Sequence, residues 1–181
     1  DDAHGCDLMH HVADPWQTRQ IGVRALSRQW HRMQIEAHGH VGVAVHALDR
    51  SNGQSVWTSL PVGVVTLAER FGGCEVTPDV FEAMVTYVAA LIAPFEERHG
   101  FRKRISGSAV HFLGTSGTVT TVAGIQLGLP RYDRSKVDGC WMKVGDVNRV
   151  TYDLLNRTYE QRVAEPCIGH DRADLVLAGC A

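Results

Sequence analysis

Along the 181 residues, the rhythm of apolar and polar positions changes near position 55. From residue 1 to about 50 the apolar residues are scattered, and neither a helical nor a strand period holds for long. Only Val41 to Leu48 has the pattern of one short strand. Beyond that point the chain becomes locally consistent. Ser55 to Leu60 alternates like a strand and is ended by Pro61, and Gly63 to Phe71 can form a short helix stopped by Gly72-Gly73. Thr77-Pro78 predicts a helix start, with Thr as N-cap and Pro at the first helical position. Val80, Phe81, Met84, Val85, Val88, Leu91, Ile92 and Phe95 then follow a helical stripe, which predicts core packing rather than a cofactor box.

The alternation continues after a basic turn, Arg98 to Arg104, that reads as a solvated connection. Ser108 to Leu113 is a second strand candidate. Val119 to Leu127 predicts a helix ended by Gly128, with Leu129-Pro130 enforcing the stop. Cys140-Trp141-Met142 fits a short strand, Val147 to Leu155 a helix, and Arg172 to Ala181 the start of another. Strands alternating with helices argue for an α/β or α+β fold.

Composition narrows the picture by exclusion. A net charge of −2 gives no general attraction to nucleic acid or to an anionic membrane surface, so neither is expected as a partner. The five cysteines are far apart and free of CxxC spacing, which disfavours a disulfide scaffold or a zinc ribbon and suits reduced thiols in a cytoplasmic protein. No uninterrupted apolar run approaches the ~20 residues that span a bilayer. Seven of the ten histidines (His4, His10, His11, His31, His38, His40 and His46) lie before position 50, yet they show no metal-ligand spacing, and no metal site is assigned to them. The chain opens Asp1-Asp2 without Met and stops at Gly179-Cys180-Ala181 in mid-pattern, so both ends are expected to be cut.

The segment that carries chemistry is Gly114-Thr115-Ser116-Gly117-Thr118, between an apolar strand and a helix. Glycines at both ends would let the backbone turn sharply and approach a ligand. The free N–H groups and the dipole of the helix start favour an anion. The hydroxyls of Thr115, Ser116 and Thr118 suit phosphate oxygens. No lysine follows, so the loop is not a Walker A loop. Gly117 directly follows Ser116, so it is not a hydrolase nucleophile elbow. A plain turn with a Ser N-cap explains the same residues without a ligand.

The run from His111 to Asp133, the block from Trp57 to Val65, and the tail from Cys167 to Ala181 together resemble the exopolyphosphatase / guanosine pentaphosphate phosphohydrolase (Ppx/GppA) family, in the same order, over about residues 55 to 181. The resemblance implies an α/β fold, a ribonuclease-H-like lobe of the actin-like, sugar-kinase and Hsp70-type ATPase superfamily, here as an incomplete two-lobe architecture. It divides the chain into a divergent N-terminal segment, 1–54, which could be a remnant of the first lobe, and a phosphate-binding second lobe, 55–181, truncated at its C-terminus. It implies hydrolysis of terminal phosphates from polyphosphate or guanosine pentaphosphate, with Mg²⁺ as cofactor. Gly114 to Thr118 match the family's second-lobe phosphate loop. Arg172 falls in a family block near the cleft, where it could meet a substrate phosphate by bidentate contact; a surface residue at a helix start is the alternative.

Two family blocks are missing. Residues 1 to 54 contain neither a DxGGGS-type phosphate loop nor the SGxEEA-type block whose glutamate is thought to activate water, and Glu36 sits in no matching context. An out-of-frame reading of GC-rich DNA and a divergent replacement both account for this. Without a base, worth ~10²–10⁴-fold, little turnover is expected of this chain. His111 reads as a packed strand histidine, and the spacing of Asp133, Asp138 and Asp171 gives no metal site. A phosphohydrolase, an inactive phosphate- or nucleotide-binding module, and a fragment without activity of its own are the three readings that follow. An exposed half-cleft would also favour self-association, with a homodimer as its simplest form.

Overall fold

A computed structural model describes residues 20–23, 43–48, 53–73, 75–103 and 112–181. Two small sheets and a set of helices make up this part of the protein. The first sheet has the strand order β4-β1-β5: β1 (Gln20–Val23) lies parallel to β4 (Phe112–Gly114) and antiparallel to β5 (Trp141–Lys143). The second is the hairpin of β2 (Val43–Leu48) and β3 (Ser55–Leu60), in register from Val43↔Leu60 to Leu48↔Ser55. Its two strands are tied further by His46 Nε2 and Ser55 Oγ at 2.6 Å, so this histidine serves the hairpin. Both sheets therefore draw a strand from before position 54.

The local chemistry of the helices follows the sequence closely. Helix α1 (Val64–Phe71) ends on Gly72 with φ at +101°, a left-handed stop that a side chain would strain. Helix α2 (Pro78–His99) begins with Thr77 as N-cap, its hydroxyl accepting the Val80 amide at 3.3 Å, and with Pro78 at the first helical position. Pro94 lies inside α2, where it leaves the Ala90 carbonyl without its helical donor; Ala90 is exposed, so water can take that place.

The second half of the chain wraps a central helix. Helix α3 (Gly117–Gln126) touches β1, α4 (Arg134–Val137), α5 (Val144–Leu155) and α7 (Val176–Cys180), while α6 (Tyr159–Val163) follows α5. Met84, Val137, Leu154 and Leu177 are the largest fully buried apolar side chains of the core, with Val122, Ala123, Val150 and Val176 beside them. The last helix starts later than the sequence pattern predicts. His170–Arg172 is a short 3₁₀ turn, and α7 begins only at Val176, after a second turn that puts Ala173 in the core.

The stripe of α2 packs on the core as its spacing predicts, but it is covered on one side only. Of its apolar stripe only Met84 is buried. Val80, Phe81, Val88, Leu91 and Ile92 rest half-covered against the core, because α2 lies on the outside against α1, α7 and β3. The helix is also long and apolar enough, at 22 residues with a mean hydropathy of 1.3 over its best window, to pass a length-and-composition test for crossing a bilayer. Its uncharged stretch, Ala83 to Phe95, spans only about 20 Å at 1.5 Å per residue, against about 30 Å of hydrocarbon. One of its faces is packed on a globular core.

Candidate functional site

Strand β4 delivers the chain to the N-terminus of α3, and every residue of Gly114 to Thr118 lies at that junction. Ser116 takes the extended N-cap conformation, and its hydroxyl oxygen accepts the Val119 amide at 3.2 Å. This engagement leaves the Ser116 hydroxyl proton free to donate. Among the described residues the Gly117 and Thr118 amides have no hydrogen-bond partner. Ser116 and Gly117 are exposed, and Thr115 and Thr118 are half-buried. The mouth of a ten-residue helix is therefore open to solvent with its first amides outward, the arrangement that concentrates the positive end of the dipole.

The two glycines serve ends other than a sharp turn. Neither has a positive φ. A Cβ on Gly114 would lie 2.7 Å from Val119 Cγ1, so this glycine lets the strand end pack directly on the first turn of α3. A Cβ on Gly117 would meet the Arg172 guanidinium Nη1 at 3.8 Å, an ordinary contact. Thr118 also departs from expectation: its hydroxyl occupies the place where a Cβ of Gly179 would stand, so the side chain faces α7 rather than the helix mouth.

Arg172 is brought to the loop from 55 residues away in sequence. It is exposed, beside Gly117, and its Nη1 donates to the Thr121 hydroxyl at 3.4 Å. Among the described residues no carboxylate pairs with it, so a full positive charge stands at the positive end of α3. The segment carrying it is anchored by Arg162, which is 3% exposed. The Arg162 Nε donates to the Ala173 carbonyl at 3.1 Å and its Nη1 to the Arg157 carbonyl at 2.7 Å. Sequence reading missed Arg162 and Thr121. An arginine amid polar residues and a threonine inside a helix carry no signal that either is buried.

The acidic residues are otherwise engaged. Asp133 caps α4, accepting the Ser135 hydroxyl at 2.7 Å and the Ser135 amide at 2.9 Å, and these bonds hold its carboxyl below the usual range. Asp138 ends α4, and Asp171 lies exposed beside His170. Among the described residues no three His, Cys, Asp or Glu side chains converge to hold a metal ion. His111, most of the strand predicted at Ser108 to Leu113, and the six histidines His4 to His40 lie outside the described residues.

No family model and no curated protein matches the chain. Solved structures do. The Ppx/GppA family member of Aquifex aeolicus is similar with a TM-score of 0.60 at 18% identity, over 89% of this chain and 46% of that one. An exopolyphosphatase from Cytophaga hutchinsonii gives 0.59 at 18%, over 93% and 49%. An exopolyphosphatase-like protein gives 0.62 at 21%, over 97% and 51%. The chain thus spans about half the length of these proteins and has the α/β fold they share over that half, as the resemblance of its three sequence blocks implies.

Proposed function

We propose that this chain is a second-lobe portion of a Ppx/GppA-type phosphohydrolase, and that the mouth of α3 holds the terminal phosphate of a polyphosphate or of guanosine pentaphosphate. One observation carries the reading: among the described residues the Gly117 and Thr118 amides have no partner, the exposed Ser116 hydroxyl keeps its proton, and the Arg172 guanidinium, paired with no carboxylate, stands beside Gly117. Amides at a helix start and a guanidinium both supply charge-assisted donors to anionic oxygens, and the dipole behind them favours negative charge. Phosphoanhydride cleavage relies mainly on such positioning and charge neutralisation. The structural neighbours, named as Ppx/GppA proteins and exopolyphosphatases, support the same class.

Mg²⁺ enters this reading as an ion carried chiefly by the substrate's own oxygens, since the described residues offer no set of carboxylates for it. The same gap favours a second reading, a module that binds phosphate without turning it over. Titration with tripolyphosphate and with guanosine pentaphosphate, followed by an assay for released phosphate, separates the two. Binding weakened by Ser116→Ala together with phosphate release supports the hydrolase. Binding without release supports the module. A chain that binds neither anion overturns both.

A further inference from the structure

We propose that Thr121 is a positioning residue for Arg172, holding its guanidinium beside Gly117 at the first turn of α3; the purpose of that placement rests on the phosphate reading above, the placement itself does not. Arg172 is exposed and on a short 3₁₀ turn, where a long side chain would ordinarily sample many rotamers. Thr121, in contrast, is 1% exposed and fixed in the middle of α3. Its hydroxyl accepts from Arg172 Nη1 at 3.4 Å, which places the same nitrogen beside Gly117, where a Cβ would lie 3.8 Å away. The neighbouring Thr120 hydroxyl donates to the Gly117 carbonyl at 3.0 Å.

The two consecutive threonines thus both act at the first turn of α3, Thr120 on the Gly117 carbonyl and Thr121 on the Arg172 guanidinium. A threonine hydroxyl retains a second lone pair and its proton after accepting one bond, so it can hold Arg172 without withdrawing that group's other donors from an anion. Arg172 is exposed and makes this one bond among the described residues, so its other N–H groups stay available to an anion, with rotamer freedom already reduced before a ligand arrives.

The test uses Thr121→Val, which keeps the shape and removes the hydroxyl, with Thr121→Ser as the conservative variant and Arg172→Ala as reference. The side-chain Nε–H signal of Arg172 is followed by ¹⁵N relaxation and tripolyphosphate affinity by calorimetry. An ordered Arg172 in wild type and Thr121→Ser, and a mobile one in Thr121→Val, is the expected result. Thr121→Val should weaken tripolyphosphate binding about threefold to tenfold, the size of a modest hydrogen-bond loss, and should add nothing in the Arg172→Ala background. An Arg172 already mobile in wild type overturns the inference even if Thr121→Val does not fold, and so does one whose order is unchanged by Thr121→Val. If no variant binds tripolyphosphate, the phosphate reading fails, while Arg172 order still decides the positioning role.

Discussion

Helices α2 and α3 differ in length, pattern and surroundings. Helix α2 has 22 residues and a clear apolar stripe, yet buries one residue. Helix α3 has ten residues and no marked stripe, yet buries Thr120, Thr121, Val122, Ala123 and Gly124 in succession. A helix that is small and apolar all round suits a position with neighbours on every side, and α3 has β1, α4, α5 and α7 around it. The stripe of α2 needs only one neighbouring face and receives only one. Fixed placement matters for a site: α3 is buried from Thr120 to Gly124, so the amides at its open end are presented by a rigid element.

The contrast can be broken most severely by placing a charge on each helix. Val122→Asp would bury an unpaired carboxylate in α3 and is expected to prevent cooperative folding. Ala89→Asp, on the exposed side of α2, should change stability by no more than about 0.5 kcal/mol in urea unfolding. Packing at the mouth of α3 comes next. Gly179→Ala puts a methyl group against the Thr118 hydroxyl and should cost about 1–3 kcal/mol, partly recovered in the double variant Gly179→Ala/Thr118→Ala, as read by thermal melts.

The two N-caps sharpen the comparison. Ser116→Ala and Thr77→Ala should each cost about 1 kcal/mol of stability. Only Ser116→Ala should also weaken tripolyphosphate binding. The smallest effect is a pH dependence. Burial pushes the Cys180 thiol up to about 11, above its ordinary 9.0, against a partial lowering by the Thr151 bond. The unfolded thiol therefore loses its proton first, and stability should decline as pH climbs from about 9 toward 11. Cys180→Ala should flatten that part of the stability curve.

Much of the local structure was legible because it depends on neighbours in sequence. Thr77-Pro78, Gly72 and the glycine stop after α3 each fix an element end through caps that need no tertiary partner. The Gly114–Thr118 junction was legible for the same reason, as a strand meeting a capped helix. What escaped depends on distant contacts. The closeness of Arg172 to Gly117 follows from the turn at 170–175 and from the hold of Arg162 on Ala173, and neither leaves a periodic trace. Thr118 reads as a donor in sequence but faces Gly179, because α7 packs across the first turn of α3. The α2 stripe marks the face that meets the core but not how deeply that face is covered, because burial is decided by what lies on the other side.

Whether an anion sits where α3 opens can be read from the backbone amides of the ¹⁵N-labelled chain during a tripolyphosphate titration. Saturable shifts centred on Gly117 and Thr118 that fade in Arg172→Ala are expected. Shifts confined to other parts of the surface, or none at all at Gly117 and Thr118, would contradict that placement.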